Sequence, residues 1–393
     1  MNNFSNSEIG DTVPLTTYKA ARAVAGLVEH HFKRHHISAK KHYQYDLAPK
    51  PNAKIIETII DTTFWASLRK EEGRSPKVSI AYLSPDDADK PLIFGERLKF
   101  SANSLTKLAP AVERSGIHLG VWFDGNELYI WGTTRVIPGL CFVLEVIEPG
   151  MLVIKHRRVD GFGKFVNVAV LKGDQVKVIN EESGAVRDCP TLINTMIGFA
   201  SSSSTLWNDS LNVLVQLSVS MRDHGRGGIL LVVPKGKETW RESIIHPISY
   251  AVEPAFSELA ELHKQYSQEL SPILWQGKLT SAINSLAGLT AVDGATIIND
   301  SYELMAFGAK IGRSPNSLQV EEMLVTEPII GNEGVVIHPV QNGGTRHLAA
   351  AQFVFDQHDA IALVASQDGR FTIFSWSACE KKVQAHRVDA LLL

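Results

Sequence analysis

Residues 227–234 read GGILLVVP, an apolar run that stands between two glycines and a proline. A run of this length without alternation is typical of a strand that is buried on both faces of a sheet. A serine-rich run at 201–205 and a helical pattern that ends at His224-Gly225 come before it. The apolar positions of that pattern are Leu206, Val213, Leu214, Leu217 and Met221. We therefore predict a long helix followed by a central strand.

The segments that follow the central strand predict further strands of the same sheet. VDGATIIND (292–300) and YELMAFGAKI (302–311) are apolar stretches joined by a polar turn. DAIALVASQDGRFTIFSW (359–376) indicates a strand, an Asp-Gly turn and another strand. The patterns predict an α/β (α+β) protein in which residues 205–393 form a mixed sheet flanked by helices.

GGTRHLAA (343–350) places two glycines, a threonine, an arginine and a histidine directly before an alanine-rich run. Such a loop brings the backbone N–H groups of a helix start close to an anion, and Arg346 adds a planar cation that suits phosphate oxygens. The helix dipole disfavours a cation at this end unless an anion is also bound there. The stretch indicates a phosphate cradle, with an ordinary loop-to-helix junction as the alternative.

The first third of the chain predicts a small α/β unit. Apolar residues recur at helical spacing from about 16 to 36, which predicts the first helix. An amphipathic pattern at 56–68 that stops at Gly73 predicts the second helix. Alternation at 78–82 predicts a strand.

The far end of the first predicted helix is rich in histidine. His31 and His35 have i, i+4 spacing, which places two imidazoles on one helix face and could hold a metal ion. The alternative is a basic helix end, with Lys33 and Arg34 beside the histidines, that complements the helix dipole. This second interpretation is the commoner one, and we favour it.

Residues 117–180 carry the pattern of three β-hairpins, with glycine-containing turns at 124–126, 148–150 and 173–174. The pattern predicts a β-meander or a small half-barrel. Four aromatic residues either line a ligand pocket or pack on the pleated surface, and we favour packing. They are Trp122, Phe123, Tyr129 and Trp131.

Composition limits the function classes. The 393 residues predict two or three domains, and 44% hydrophobic with 21% charged residues is typical of a soluble globular protein. A net charge of -3 argues against a generic nucleic-acid binder. The three cysteines lie far apart, so neither a disulfide framework nor a zinc site of cysteines is indicated. We expect a cytoplasmic protein without a signal peptide or a membrane span.

Taken in order, the C-terminal segments resemble the diadenylate cyclase (DAC) domain family. The resemblance rests on Asp-Gly-Ala at 293–295 and Arg-His at 346–347, each in its strand or helix context. The apolar strands at 228–233 and 360–365 frame these motifs, and the resemblance covers about residues 205–393. The preceding half resembles the sensor-like regions attached in front of bacterial DAC domains.

The resemblance implies an enzyme in which two ATP molecules on two protomers are joined. Each 3′-hydroxyl attacks the α-phosphate of the other ATP, which gives cyclic di-AMP and pyrophosphate with Mg²⁺ or Mn²⁺ as cofactor. The implied catalytic residues are Asp293, Arg346 and His347, and the metal ligand is Asp293, with Asp368 as a second candidate. The implied nucleotide-binding residues are Gly294, Ala295, Phe307, Gly308, Ala309, Gly343, Gly344, Thr345, Arg346, His347, Ser366 and Gln367.

Three positions depart from the family pattern. Val292 stands where many members have a histidine, Leu348 where they have a second basic residue, and Gln367 where they have an acid. A glutamine oxygen is a weaker metal ligand than a carboxylate. The glutamate-rich stretch at about 313–340 is an expected inserted loop; it would supply a missing acid, act as a lid, or form a solvated face, and we favour the last.

The domain prediction is an α/β sensor-like region at 1–115, a β-meander domain at 116–185 and the DAC-like domain at 205–393. Retention of the Asp-Gly-Ala and Arg-His motifs favours an enzyme, while the three departures favour a nucleotide-binding module that has lost turnover; a scaffold is a third possibility. The predicted partners are ATP or a related nucleotide and a second copy of the chain, with the DAC-like domains facing each other. No nucleic acid and no membrane are expected.

Overall fold

The computed structural model describes residues 16–42, 47–159, 165–180, 182, 192–193, 208–265 and 272–393. The chain divides into two units, residues 1–178 and residues 179–393, and each has its own sheet. The serine-rich run at 201–205 and Leu206 lie outside the described residues, as does the start of the helix predicted there.

The N-terminal unit has three described helices: α1 (Lys19–His42), α2 (Ala53–Ser67) and α3 (Ala102–Val112). Local capping explains where two of them begin. The Asn52 side chain accepts a hydrogen bond from Ile55 N, and the Ser101 side chain accepts one from Ser104 N. Helix α1 continues beyond the predicted end at residue 36, so the histidine-rich segment lies within the helix rather than at its terminus.

Eight strands form the sheet of the N-terminal unit, in the order β2-β4-β3-β1-β5-β6-β7-β8. They are β1 (Ser79–Tyr82), β2 (Leu92–Lys99), β3 (His118–Phe123), β4 (Leu128–Thr134), β5 (Phe142–Glu148), β6 (Met151–Arg157), β7 (Phe165–Lys172) and β8 (Gln175–Val178). The three predicted hairpins are present as β3–β4, β5–β6 and β7–β8. Strand β1 pairs with β3 in parallel, so the predicted boundary at residue 115 falls inside this sheet.

Two of the four aromatic residues singled out in the hairpins are fully packed. Tyr129 and Trp131 are buried, and Trp131 Nε1 donates a hydrogen bond to Leu83 O at 2.8 Å. Gly120 makes room for the indole, because a Cβ at this position would lie 2.0 Å from the Trp131 ring. These contacts agree with the packing interpretation.

The C-terminal unit has four described helices: α4 (Asn208–Asp223), α5 (Glu258–Gln265), α6 (Pro272–Leu289) and α7 (Thr345–Asp356). Its strands are β9 (Gly228–Val233), β10 (Tyr250–Phe256), β11 (Ala295–Asn299), β12 (Leu304–Ala309), β13 (Met323–Thr326), β14 (Val335–Ile337), β15 (Ile361–Ala365), β16 (Phe371–Ser377) and β17 (Lys382–Arg387). They form one sheet in the order β10-β12-β11-β9-β15-β16-β17-β13-β14.

Strand β9, which comes from the GGILLVVP run, is buried along its whole length. It pairs in parallel with β11 and antiparallel with β15. Ile229, Leu231 and Val233 pack in one core with residues of α7, so the alternate residues point to the opposite face of the sheet. The two large mixed sheets and seven described α-helices confirm the predicted α/β (α+β) class.

The glutamate-rich stretch at 313–340 extends the sheet. Within it, β13 and β14 form a hairpin, and β13 pairs in parallel with β17. This hairpin occupies the edge of the sheet opposite β10. Glu322 is exposed and pairs with Lys382, which fits the favoured interpretation of a solvated face.

In the part of the chain that the structure describes, no helix combines the length and the apolar character needed to cross a bilayer.

A buried histidine predicts that the C-terminal unit loses stability in acid. His386 lies on β17 with Nδ1 2.7 Å from Thr326 Oγ1, and burial lowers its pKa from 6.5 to about 4. The unfolded chain therefore takes up a proton below pH 6.5 that the folded chain takes up only near pH 4. The free energy of unfolding should fall by about 1.4 kcal/mol per pH unit across this window, or about 3 kcal/mol in full.

The measurement is amide hydrogen exchange of β16 and β17 in the intact chain between pH 7 and pH 4. In His386→Gln the histidine contribution to the pH dependence of the protection factors should disappear. Identical slopes in the variant and the wild type would contradict the assignment.

Candidate functional site

A cleft of about 200 Å³ lies at one end of the C-terminal sheet, where β9 and β11 begin, β12 ends and α7 starts. Its lining residues are Ile229, Asp293, Gly294, Ala295, Ala309, Lys310, Ile311, Thr345, Arg346 and Ala349. Six of these were predicted from the sequence: Asp293, Gly294, Ala295, Ala309, Thr345 and Arg346. The structure thus brings the Asp-Gly-Ala motif and the start of the Thr-Arg-His motif into one site.

The Asp-Gly-Ala motif is held by a close approach of two backbones. Gly294 has φ +108°, and a Cβ on it would lie 2.5 Å from the carbonyl carbon of Gly308. The next residue, Ala295, begins β11 and pairs with Ala309. Because this contact admits only glycine at 294, the position of the exposed Asp293 carboxylate beside it is set by the backbone.

An aromatic pair lies beside this contact. The rings of Tyr250 on β10 and Phe307 on β12 stack in parallel, with centroids 4.7 Å apart. A Cβ on Gly308 would lie 2.8 Å from the Tyr250 ring, so the phenol covers the glycine backbone. Phe307 and Gly308 are both among the implied nucleotide-binding residues, and they lie next to the cleft lining rather than in it.

Helix α7 presents its N-terminus to the cleft. Its N-cap is Gly344, which offers no side-chain hydrogen bond, and the first backbone bond of the helix runs from His347 N to Gly344 O at 3.0 Å. The N–H groups of Thr345 and Arg346 precede that bond and are therefore suited to an anion. The Arg346 guanidinium lies against Gly227, where a Cβ would come within 3.0 Å of Nη1.

Three charged side chains define the electrostatics of the cleft: Asp293, Lys310 and Arg346. None of them forms an ion pair with another residue that the structure describes. One carboxylate against two cations leaves a positive balance, which together with the helix start favours a polyanionic ligand. The donor set also fits Mg²⁺ or Mn²⁺, because Mg²⁺ is commonly held by one or two carboxylates together with substrate phosphates.

The structure does not place His347 in the cleft. This residue is only 5% exposed, its ring packs edge-on against Phe374, and Nε2 lies 3.4 Å from Thr372 Oγ1. Burial is the main cause that lowers the pKa of His347. Gly343 lies beneath the imidazole, since a Cβ there would lie 2.7 Å from His347 Nδ1. These contacts suit a residue that anchors the start of α7.

The other predicted residues lie on the turn between β15 and β16. Gln367 donates a hydrogen bond from Nε2 to Arg226 O at 3.3 Å. Asp368 pairs with Arg370 at 3.2 Å. Burial alone would raise the pKa of Asp368, but hydrogen bonds from Ser366 and from the backbone, with the charge of Arg370, lower it overall. Ser366, Gln367 and Asp368 are not part of the cleft lining, and Asp368 is engaged by its own turn.

Sequence reasoning missed four lining residues: Lys310, Ile311, Ile229 and Ala349. Lys310 directly follows the Phe-Gly-Ala stretch at the end of β12. Its position next to residues that were already implied in binding is the feature of the sequence that could have identified it. The sequence pattern places Ile229 in the buried strand, but it does not show which end of that strand borders a cleft.

Residues 45–135 match the model of a family described as "Probable sensor domain DACNV". The matched segment contains α2, α3 and β1–β4, and it leaves the cleft of the C-terminal unit outside it. The match supports the predicted sensor-like region in the N-terminal half.

Among solved structures, 11 chains match. One is described as "the hypothetical membrane spanning protein from Bacillus cereus", with 15% sequence identity and a TM-score of 0.26. The match covers 47% of this chain and spans 66% of the other chain's length. No curated protein matches the chain.

A glycine substitution tests the backbone contact that holds Asp293. Gly294→Ala should lower the free energy of unfolding of the C-terminal unit by about 2 kcal/mol or more, because it adds a clash to a strained φ. Gly288→Ala is the matched control, since a Cβ on this helical glycine meets nothing within 4 Å. The control should be neutral or slightly stabilising. Amide hydrogen exchange of β11 measures the free energy of unfolding of both variants. Equal stability of the two variants would disprove the contact.

Proposed function

We propose that the C-terminal unit is a DAC-like nucleotidyltransferase that condenses two ATP molecules into a cyclic dinucleotide of the cyclic di-AMP type. The observation that carries the proposal is the cleft in which Asp293 and Arg346 meet at the uncapped start of α7. A carboxylate, a guanidinium and free helix N–H groups are the groups that an adenine nucleotide and its metal ion require.

In this proposal, Arg346, Lys310 and the α7 N–H groups bind the triphosphate and offset its charge. Asp293 orients the 3′-hydroxyl and receives its proton as that oxygen attacks the α-phosphate of the second ATP. The bond to the leaving pyrophosphate breaks as the new phosphodiester forms, and two such steps close the ring. Mg²⁺ or Mn²⁺, held by Asp293 and phosphate oxygens, would supply charge neutralisation.

The stacked Tyr250–Phe307 pair supplies the surface that would hold adenine. Tyr250 lies on the edge strand β10 and is 49% exposed, so a face of the aromatic pair is available to a ligand. Stacking of a base on an aromatic ring contributes about 1–3 kcal/mol.

The reaction joins two nucleotides, and the cleft of Asp293 and Arg346 in one chain would hold one of them. A two-fold homo-oligomer is the simplest assembly that brings two equal clefts together. The DACNV sensor family is associated with diadenylate cyclase proteins, which supports a sensor region in front of a cyclase-like unit. We propose that the N-terminal unit controls whether two clefts meet.

A second candidate function is a nucleotide sensor of the same fold without turnover. Gln367 favours it, because this amide is bonded to Arg226 O and adds no carboxylate to the site. Asp293 is then the single acid of the cleft lining, which suffices for binding a metal–nucleotide complex but leaves fewer anionic ligands during the reaction.

Two substitutions separate binding from chemistry. Asp293→Asn should lower formation of the dinucleotide at least about 100-fold while leaving ATP binding largely intact, because it removes the base and a metal ligand but leaves the contacts of Arg346, Lys310 and the α7 N–H groups with the triphosphate. Arg346→Ala should raise the Kd about 10-fold or more, since a charge-assisted contact is lost. Product is measured by mass spectrometry with ATP and Mg²⁺ or Mn²⁺, and Kd by calorimetry.

Lys382→Ala is the control for general loss of charge, because Lys382 lies three strands from β9 and pairs with Glu322. If the wild type binds ATP but forms no product, the C-terminal unit is a nucleotide sensor and not an enzyme. Absence of both binding and product would refute both functions.

The aromatic pair has a separate test. Tyr250→Leu should raise the Kd for ATP about fivefold or more and leave the Kd for inorganic triphosphate unchanged, because only the base would stack on the ring. Phe256→Leu is the control, since Phe256 is an exposed aromatic residue on the same strand that pairs with Leu304, whereas Tyr250 pairs with Phe307. Equal effects on ATP and triphosphate would argue against base stacking.

A further inference from the structure

Three histidines of the N-terminal unit come together although they are distant in the sequence. His31 and His35 lie on one side of α1, and His156 lies on β6. One ring nitrogen from each residue lies within 4.8 Å of the other two. The ring centroids of His31 and His35 are 4.3 Å apart, and that of His156 is 5.3 Å from each of them.

We propose that His31, His35 and His156 form a binding site for a transition-metal dication, with Zn²⁺ as the ion that three imidazoles suit best. Three histidine nitrogens with an open fourth position are a known zinc arrangement, and hard ions such as Mg²⁺ prefer oxygen ligands. The site belongs to the N-terminal unit and lies outside residues 45–135, so it is independent of the nucleotide chemistry proposed for the C-terminal unit.

The hydrogen bond of His156 prepares it as a ligand. Its Nδ1 lies 3.1 Å from the backbone oxygen of Arg157, and because a carbonyl only accepts, Nδ1 carries the proton and donates. Nε2 then holds the free lone pair. That atom is buried, the residue is only 4% exposed, and Nε2 has no hydrogen-bond partner among the described residues. A metal-bound histidine commonly donates its other ring N–H to a backbone carbonyl in this way.

The surroundings keep all three rings neutral, which is the protonation state that a metal ion requires. Burial is the largest cause in each case. The next cause is the charge of Arg34 for His31, and for His35 and His156 it is the repulsion that the other imidazoles of the cluster would exert if they were protonated. Together they lower the pKa of His31 and that of His35 to about 3, and that of His156 well below 6.5. A cluster of neutral imidazoles therefore persists at physiological pH.

The geometry needs only small ring movements to bind an ion. Nitrogens about 2.0–2.1 Å from a tetrahedral Zn²⁺ lie about 3.4 Å apart, so nitrogens that lie within 4.8 Å of one another must approach by up to about 1.4 Å. His35 is only half-buried, which leaves a path for the ion and for a fourth ligand such as water. The charges of Arg34 and Arg158 act on these rings and oppose a dication, so we expect weaker binding than at sites with carboxylates or thiolates.

A metal ion at this site would join α1 to the sheet. The ligands come from a helix and from β6, so an ion that binds the folded unit stabilises that contact by mass action. The consequence is a melting temperature that rises with Zn²⁺ concentration.

The experiment uses the full chain, stripped with a chelator, and titrates it with Zn²⁺ alone by calorimetry. We expect one ion per chain, and Co²⁺ as a probe should give the strong d–d absorption of a tetrahedral site. His156→Gln and His35→Gln should each weaken binding at least about 100-fold, because loss of a ligand is more severe than loss of an outer-shell partner. His30→Gln, an exposed histidine on the same helix, is the matched control and should bind as the wild type does.

Circular dichroism shows whether each variant is folded. Because His35 is only half-buried, its substitution should disturb the core less than substitution of His156. Wild type that fails to bind Zn²⁺ would overturn the proposal. Unchanged binding in both His156→Gln and His35→Gln would also overturn it, because the ion would then sit elsewhere. ATP binding measured in the same samples should be unaffected by the histidine substitutions, which separates this site from the nucleotide cleft.

Discussion

The contact between the backbones of Gly294 and Gly308 is the constraint on which the cleft of the C-terminal unit depends. Neither residue tolerates a side chain: a Cβ on Gly294 would overlap the Gly308 carbonyl, and a Cβ on Gly308 would strike the Tyr250 ring. The strands β11 and β12 are thus held close together at the end that borders the cleft, with an aromatic ring on one side. Asp293 precedes this contact, so its place at the cleft follows from backbone packing and does not require a partner for its carboxylate.

Sequence patterns predicted most of the buried strands and missed most of the exposed ones. The apolar run of β9 and the turn-separated strands β11, β12, β15 and β16 are buried on one or both faces, and burial produces the periodicity that a pattern detects. Strands β2, β10, β13, β14 and β17 were not predicted. Strands β2, β10 and β14 are largely exposed, and β10 contains Pro254, so neither hydrophobic alternation nor strand propensity marks them. Strand β17 is mostly buried, but it carries polar side chains such as Gln384 and His386. Their pairing depends on the neighbouring strand, which a local pattern does not contain.

The sequence predicted helix α7 but not which of its adjacent side chains face the cleft. Arg346 and His347 were both expected to bind the nucleotide, but successive residues on an α-helix differ by about 100° in direction. When Arg346 reaches the cleft, His347 turns toward Phe374 and the core. Ala349 lies three positions after Arg346 and shares the cleft for the same reason. The spacing of His31 and His35 predicted that these two residues share a helix face. Nothing in the sequence distinguishes His156 from other strand residues, and only the fold shows that it lies close to the pair.

The size of the cleft bears on how the proposed reaction would be organised. Its volume of about 200 Å³ falls below the roughly 300–1,000 Å³ of pockets that enclose a ligand of drug size. A nucleotide bound here by its phosphates would keep part of its surface uncovered. A second chain placed face to face would cover that surface and exclude water from the reacting atoms. Incomplete enclosure in one chain is therefore what a reaction between two bound nucleotides requires, because a closed pocket would keep them apart.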